Sequence, residues 1–211
     1  MLVLLVIGLG ALWILFGFRP EIRACFQRDP AARNLLEVLL TYPGLHAVIG
    51  YRIAHALDRV QVPVLPRLIM AVVRWATGIE IHPSATIGRG LFIDHGMGVV
   101  VGETAVIGKN VTLFQGVTLG GTGKERGKRH PTLGDNVVVG TGAKVLGNIA
   151  IGRDSIIGAN AVVIRDVPEH STVVGVPGRI TKIKDQSFPG IKLAHTHLPD
   201  PLPERLEALQ H

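Results

Sequence analysis

The sequence predicts a β-solenoid preceded by a helical region, and two observations lead to this fold class. Hydrophobic residues make up 47% of the 211 residues but aromatic residues only 5%, and 26 residues are glycine. This composition is typical of short strands joined by frequent turns. From residue 81 onward, with one interruption, an aliphatic residue or alanine occupies every sixth position. A six-residue period is too short for a pair of helices and indicates a solenoid coil with three sides of six residues.

The composition also limits the classes of function. Charged residues amount to 18%, which argues against a disordered chain and against a nucleic-acid partner. The net charge of +6 suits an anionic ligand or a membrane surface. The single cysteine, Cys25, excludes an intramolecular disulfide framework and a multi-cysteine metal site, and it indicates a reducing compartment.

Residues 1–18 carry no charged side chain. A helix of this length spans about 27 Å, close to the thickness of the hydrocarbon core, so a membrane helix is predicted. Arginines follow it, and the positive-inside rule then places the rest of the chain in the cytoplasm, tethered to the inner face of the membrane. Two alternatives stay open: a helix buried in an oligomer interface, or a start codon assigned too early.

Residues 19–78 are predicted to form a helical domain. Apolar residues recur at helical spacing in two runs, 35–40 and 45–57, which indicates helices with one apolar face. Four prolines fall where a helix would begin or end: Pro30, Pro43, Pro63 and Pro66.

The repeat defines a domain over residues 79–180. Its first series of sixth positions ends at Val117 and the second begins at Leu133, so the gap equals one step plus ten inserted residues. The pair Val101-Gly102 stands two residues out of phase, which suggests a bulge near residues 96–98. Counted from residue 81 to residue 168, the repeat amounts to about four coils. The flat faces of such a prism favour an oligomer.

The inserted loop, residues 121–131, places five cationic side chains within seven residues if His130 is protonated. It is not a phosphate-binding P-loop, because Thr118 and Glu125 stand where that motif needs Gly and Ser or Thr. Insertions into solenoids cluster on the binding face, which favours a ligand-binding loop over a merely solvated one. Residues 181–211, which contain several prolines, are predicted to be a linker and docking segment.

His95 is the predicted catalytic base. It follows Asp94, and a histidine beside a carboxylate can take a proton from a hydroxyl near neutral pH. The alternative is a histidine that only makes structural hydrogen bonds. His82 and His130 fall in or near the same turns, but the spacings among the three histidines match no zinc motif, so no metal site is predicted. Cys25 lies far from them in sequence, which favours direct transfer over a covalent acyl-enzyme.

Four strings closely resemble the serine O-acetyltransferases of bacterial cysteine biosynthesis, short bacterial type: IEIHP at 79–83, IDHGMGVVVGET at 93–104, QGVTLGGTGK at 115–124 and RHP at 129–131. The resemblance runs from about residue 28 to residue 180. It implies a left-handed parallel β-helix with an N-terminal α-helical region, assembled as a homotrimer or a dimer of trimers. It also implies acetyl-CoA bound between neighbouring helices, L-serine as the acceptor and no metal.

The resemblance further implies roles for individual residues. His95 is the general base, with Glu80 as its carboxylate partner where many members have aspartate, and Gly121 offers a backbone N–H to the oxyanion. Four residues are implied to hold serine: Asp29, Asp94, Arg129 and His130. Six are implied to contact acetyl-CoA: Lys124, Arg126 and Lys128 at the phosphates, and Thr141, Gly142 and Ala159 along the pantetheine arm.

Two features depart from the family pattern. Members that dock into cysteine synthase typically end in isoleucine, whereas this sequence ends in His211, which argues against that complex. The apolar start favours a trimer over a dimer of trimers. Cysteine inhibition in the serine site is implied by the resemblance. Two other functions stay open: an acetyltransferase for a sugar or antibiotic hydroxyl, and a membrane-tethered scaffold without catalytic activity.

Overall fold

The structure, a computed structural model, describes residues 17–123 and 126–183. The first part of the described chain is helical. Its helices are α1 (Arg19–Arg28), α2 (Leu35–Thr41), α3 (Pro43–Arg59) and α4 (Leu65–Thr77). Most of the predicted membrane segment and nearly all of the predicted docking tail lie outside the described residues, as does Lys124 in the loop.

Local sequence signals explain the ends of these helices. Asn34 caps α2, because its Oδ1 accepts a hydrogen bond from Glu37 N at 2.9 Å. Helices α1, α3 and α4 each carry a proline in the first turn, where the missing N–H leaves no helical hydrogen bond unmade. Helix α4 ends at Gly78, whose left-handed conformation closes the last turn.

The described chain continues as fifteen short strands that form three sheets. Sheet A contains β1 (Glu80–Ile81), β4 (Val100–Val101), β7 (Thr118–Gly120), β10 (Lys144–Leu146) and β13 (Val162–Val163). Sheet B contains β2 (Thr86–Ile87), β5 (Val106–Ile107), β8 (Thr132–Leu133) and β11 (Ala150–Ile151). Sheet C contains β3 (Phe92–Asp94), β6 (Thr112–Phe114), β9 (Val138–Val139), β12 (Ile156–Ile157), β14 (Ser171–Val174) and β15 (Arg179–Ile183). Neighbouring strands are parallel except for β14 and β15, so the predicted parallel β-helix is confirmed.

The chain turns from one sheet to the next at three edges, named here edge AB, edge BC and edge CA after the sheets that they join. Equivalent turns of successive coils lie above one another at each edge. On edge CA, Gly116 N donates to Met97 O at 2.9 Å and Gly142 N donates to Gln115 O at 2.8 Å. The position of a residue within the repeat therefore decides which edge it occupies.

The strand registers show where the extra residues of the repeat lie. Glu80 pairs with Val100, Val100 with Thr118, and Thr118 with Lys144, so these three coils take twenty, eighteen and twenty-six residues. Eighteen is the regular length, which Lys144 and Val162 repeat in the next coil. The ten extra residues counted between Val117 and Leu133 in the sequence thus lie at two places. Two are at the predicted bulge and eight are in the loop.

The expectation of about four coils was wrong, because the described strands form five. The repeat continues beyond residue 168 into β14, which pairs in parallel with β12. The step before Val167 departs from six residues: Val163 pairs with Val145 in sheet A, and only four residues later Val167 forms a bridge with Ile151 of β11. Strict six-residue counting therefore stopped one coil too early.

Most sides of a coil bury two aliphatic residues or alanines, one within the strand and one two positions earlier. Leu113 and Val111 illustrate this on sheet C, as do Leu119 and Val117 on sheet A, and all four are 0% exposed. Burying one such side chain stabilises the fold by about 1.5–3 kcal/mol. The sequence contains two series of aliphatic residues at six-residue spacing, two residues out of phase with each other. Both series therefore lie inside the prism.

Buried polar contacts fasten the helical region to the first two coils. Arg28 of α1, only 3% exposed, donates from Nη1 to Val111 O at 3.1 Å. Tyr51 of α3 donates its hydroxyl hydrogen to Ala85 O at 2.5 Å. Because buried donors without an acceptor are costly, these contacts fix how the helices sit on the β-helix.

Close packing of α3 on β3 gives a stability prediction. A Cβ atom at Gly44 would stand 2.2 Å from Ile93 O. We expect Gly44→Ala to lower the free energy of unfolding by about 1–3 kcal/mol, because α3 must move away from the β-helix. Gly127→Ala is the matched control, since a Cβ there meets no described atom within 4 Å. Urea unfolding measures both, and equal stability of the two variants would contradict the prediction.

Candidate active site

His95 lies on edge CA in a turn that its sequence makes unusual. Its φ is 55°, a left-handed value that non-glycine residues rarely adopt, and Gly96 and Gly98 after it have φ of 82° and 76°. The turn projects the His95 side chain outward, where it is 75% exposed. The same left-handed φ recurs at other coil turns, for example at Asn110 and His170, so the exposure of His95, more than its backbone, suits a catalytic base.

The carboxylate nearest to His95 belongs to Asp94. Asp94 Oδ1 lies 4.0 Å from His95 Nε2. The partner expected from the resemblance, Glu80, instead forms an ion pair with Arg74 of α4, at 3.0 Å between Nη1 and Oε2. Glu80 is nevertheless close in the fold, because its neighbour Ile79 packs against Gly96 in the His95 turn. A direct contact between Glu80 and His95 therefore stays a prediction.

Asp29 is the second carboxylate on this side of the molecule. It follows α1, and its two oxygens accept hydrogen bonds from Tyr42 Oη at 2.5 Å and from Ala31 N at 2.7 Å. Burial, then Asp29 and, more weakly, Asp94 raise the pKa of Cys25 to about 12. Both predicted serine-holding aspartates thus act on the same buried thiol, and that thiol stays protonated, which agrees with excluding it as a nucleophile.

A second cluster lies on edge AB at the end of the inserted loop. Arg129 forms an ion pair with Glu103, and this hydrogen bond is the main reason why the pKa of Glu103 is lowered. His130 is buried, and its Nδ1 lies 2.9 Å from Thr104 Oγ1. Arg129 and His130 were predicted from the sequence to hold serine. Glu103 and Thr104 received no role there, although they directly follow Gly102 in the string GET.

Two histidines of edge AB are held neutral. Burial, followed by the charge of Arg67, lowers the pKa of His82. Burial, followed by the charge of Arg129, lowers the pKa of His130. At pH 7 His130 is therefore a neutral hydrogen-bonding group and adds no positive charge to the loop.

Lys128 does not face the solvent as its predicted role requires. Its Nζ donates to Thr104 O at 2.6 Å and to Pro131 O at 3.3 Å, and burial lowers its pKa. In this arrangement Lys128 ties the loop to the β-helix, and its contact with a phosphate of acetyl-CoA stays a prediction. Arg126 is exposed, as a phosphate ligand should be, and Lys124 lies outside the described residues.

The predicted pantetheine contacts continue along edge CA. Thr141 and Gly142 lie two coils beyond His95 and Ala159 lies three coils beyond it, which corresponds to about 10 and 14 Å at the usual strand spacing. Thr141 O accepts from Asn160 N at 2.8 Å. His95 and these three residues therefore share one edge of the prism.

Edge AB, the other edge that borders sheet A, carries the remaining described residues of the inserted loop that were predicted for the site: Gly121, Arg126, Lys128, Arg129 and His130. Gly121 packs against Arg129, since a Cβ on Gly121 would stand 3.2 Å from Arg129 O. A six-residue side of the prism is on the order of 15–20 Å long. Within one chain, Gly121 and His130 therefore cannot reach a substrate atom held by His95.

The edges also separate the three histidines that were considered as zinc ligands. His82 and His130 lie on edge AB, whereas His95 lies on edge CA. The described residues contain no group of three or more His, Cys, Asp or Glu side chains that could hold a metal ion. Among the same residues, no helix is long and apolar enough to cross a membrane.

The neutral histidines predict a pH dependence of stability. The pKa values of His82 and His130 are lowered from 6.5 in the folded protein, so the unfolded chain binds these protons more tightly. The free energy of unfolding should therefore fall as the pH decreases from about 7.5 to 5.5. We expect His82→Gln combined with His130→Gln to flatten this slope in urea unfolding. Glu103, whose pKa is lowered from 4.5, acts below this range. An unchanged slope would refute the prediction.

Known proteins share both the sequence and the fold. The bacterial transferase hexapeptide (six repeats) family matches residues 130–165. A serine acetyltransferase of Bacillus subtilis (strain 168) is 57% identical over 192 residues, covering 91% of this chain and 88% of the relative. A serine acetyltransferase of Staphylococcus aureus (strain MSSA476) is 57% identical over 197 residues, covering 93% of this chain and 91% of the relative.

Solved structures agree with these relatives. The serine acetyltransferase of Neisseria gonorrhoeae matches with a TM-score of 0.79 at 42% identity, covering 82% of this chain and 68% of that one. A serine acetyltransferase in complex with cysteine matches with a TM-score of 0.78 at 46% identity, covering 80% of this chain and 70% of that one. The predicted fold class, a left-handed parallel β-helix with an N-terminal helical region, is thereby confirmed. With this identity over nine tenths of its length, the chain belongs to the serine acetyltransferase family.

Proposed function

We propose that this protein transfers the acetyl group of acetyl-CoA to the hydroxyl of L-serine, giving O-acetylserine and CoA in cysteine biosynthesis. The observation that carries the proposal is His95: an exposed imidazole on a strained turn, beside a carboxylate, in a chain of this family. Because the single cysteine indicates a reducing compartment, we place the reaction in the cytoplasm.

In the proposed mechanism His95 takes the proton of the serine hydroxyl as the oxygen attacks the thioester carbonyl carbon. Asp94, or Glu80 after release from Arg74, stabilises the imidazolium that forms. The backbone N–H of Gly121 is assigned to the oxyanion of the tetrahedral intermediate. Collapse of the intermediate breaks the carbon–sulfur bond, and His95 returns its proton to the CoA thiolate.

The charges around the two edges suit a zwitterionic acceptor. Asp29 and Asp94 are assigned to the ammonium group of serine, and Arg129 with His130 to its carboxylate. Arg129 already pairs with Glu103, so the substrate carboxylate must share or replace that contact. A sugar or antibiotic hydroxyl would leave such a set of opposite charges unmatched, which favours an amino acid over these alternatives.

The assembly follows from the length of one side of the prism. Edge CA carries His95 and edge AB carries Arg129, too far apart to serve one substrate within a chain. We propose a homotrimer in which edge AB of one copy faces edge CA of the next, either alone or paired as a dimer of trimers. Acetyl-CoA then lies between neighbouring copies.

Several residues are assigned to acetyl-CoA at this interface between neighbouring copies. The pantetheine arm is assigned to the turns of edge CA at Thr141, Gly142 and Ala159, where half-buried or exposed residues offer backbone groups. Arg126, exposed on the loop, and Lys124 are assigned to the phosphates. No resident metal is part of this mechanism.

The base has a closely matched control in the same chain. His170 also has a left-handed φ, 57°, and lies 3.8 Å from a carboxylate, that of Asp154, but on edge BC. We expect His95→Asn to lower kcat about 10²- to 10⁴-fold, and His170→Asn to leave it within about twofold of the wild type. Asparagine tolerates the left-handed backbone at both positions.

Release of CoA by the purified protein, followed with L-serine, L-homoserine, an aminosugar or buffer, measures both the acceptor and the effect of each variant. A rate specific to serine is expected. A rate with another hydroxyl only would overturn the acceptor, and a fully active, folded His95→Asn variant would overturn the base.

A further inference from the structure

Thr104 makes an unusual number of contacts with the end of the inserted loop. Its Oγ1 accepts hydrogen bonds from Arg129 N at 3.0 Å and from His130 N at 3.1 Å, and it also lies 2.9 Å from His130 Nδ1. Its carbonyl oxygen accepts a hydrogen bond from Lys128 Nζ at 2.6 Å. One threonine of the second coil thus contacts three consecutive residues of the loop.

The backbone of Thr104 determines which nitrogen of His130 carries the proton. Thr104 N lies 3.2 Å from His130 Nδ1, and a backbone N–H can only donate, so Nδ1 must accept. In a neutral ring the hydrogen is then on Nε2. The Thr104 hydroxyl reinforces this arrangement, because its oxygen already accepts from two backbone N–H groups and its own hydrogen is left to point at Nδ1.

The surroundings of His130 favour this neutral form. Burial lowers its pKa, Arg129 and Lys128 lower it further, and Glu103 opposes them. The ring packs against Gly102, where a Cβ atom would stand 2.1 Å from Nε2. Among the described residues, Nε2 has no hydrogen-bond partner, so its N–H is left for a ligand.

We propose that Thr104 is a positioning residue that holds His130 as the Nε2–H tautomer, so that His130 donates a hydrogen bond to the carboxylate of the acceptor. His130 then binds substrate without competing with His95 as a base. This inference rests on the proposed function, which supplies the acceptor. Thr104 itself touches no substrate atom and acts through His130.

Kinetics of two Thr104 variants test the proposal. Thr104→Val keeps the shape of the side chain but removes the hydroxyl, and we expect it to raise KM for L-serine about tenfold while KM for acetyl-CoA changes little. Thr104→Ser keeps the hydroxyl and should restore most of the loss. Thr86→Val, at an exposed threonine of β2, is the matched control and should behave as the wild type.

A double-mutant cycle separates positioning from a merely structural role. If Thr104 acts through His130, Thr104→Val should have no further effect on KM for serine in a His130→Ala background. An equal rise in KM in both backgrounds would overturn the proposal, because Thr104 would then act independently of the imidazole.

The tautomer itself can be read without any substrate. In full-length protein labelled with nitrogen-15 at histidine, NMR should show a protonated Nε2 and an unprotonated Nδ1 for His130. The same tautomer is expected in Thr104→Val, because that variant keeps the backbone N–H that donates to Nδ1. A proton on Nδ1 in the wild type would overturn the proposal. If serine is not acetylated while the expected tautomer is seen, the proposed function fails but the assignment of Thr104 to His130 stands.

Discussion

The stacking of each coil on the one before is the constraint on which the rest of the structure depends. Backbone hydrogen bonds hold equivalent turns above one another, for example from Gly116 N to Met97 O at 2.9 Å. Extra residues can be accommodated only where they bulge outward at an edge, because an insertion within a strand would shift every inward side chain. The two insertions into the repeat, at residues 96–98 and 121–131, accordingly lie at edges CA and AB. Those are the edges that carry His95 and His130.

Much of the fold could be predicted from the sequence, because the six-residue period directly reflects one buried side of the prism. The coil count was too low, since the step through Val167 departs from that period while the backbone pairing continues. His95 could be selected as a candidate base from the sequence, because a histidine next to a carboxylate and near two glycines is unusual at a solenoid turn, and its catalytic role stays a prediction. The edge that a residue occupies depends on the two-residue bulge, because the bulge shifts every later turn by two positions in the repeat.

The contacts of individual side chains could not be predicted in the same way. The ion pair of Glu80 with Arg74 joins an exposed strand residue to the preceding helix, and no motif encodes it. Lys128 belongs to a run of cations that suggests a ligand, yet its ammonium group is turned into the protein by two carbonyl oxygens. Thr104 lies about 25 residues before its partners Arg129 and His130, so only the folded loop reveals what it holds.

We propose different tasks for two histidines of this chain because their environments differ. His95 is exposed beside Asp94, where its imidazole is accessible to a substrate hydroxyl, whereas His130 is buried and its Nδ1 already accepts hydrogen bonds. The proposed reaction needs both histidines, although they lie at the two opposite edges of sheet A, edge CA and edge AB. The central claim is therefore that one copy of the chain completes the site of its neighbour.

Mixed assembly of two impaired variants tests that claim directly. Chains with His95→Asn are co-expressed with chains that carry His130→Ala, and the purified mixture is assayed at limiting serine. If each site combines edge CA of one copy with edge AB of the next, random mixing in equal amounts restores both histidines in about one quarter of the sites. Activity near one quarter of the wild-type value is the predicted result. Activity no higher than that of the separate variants would show that the site does not cross between copies.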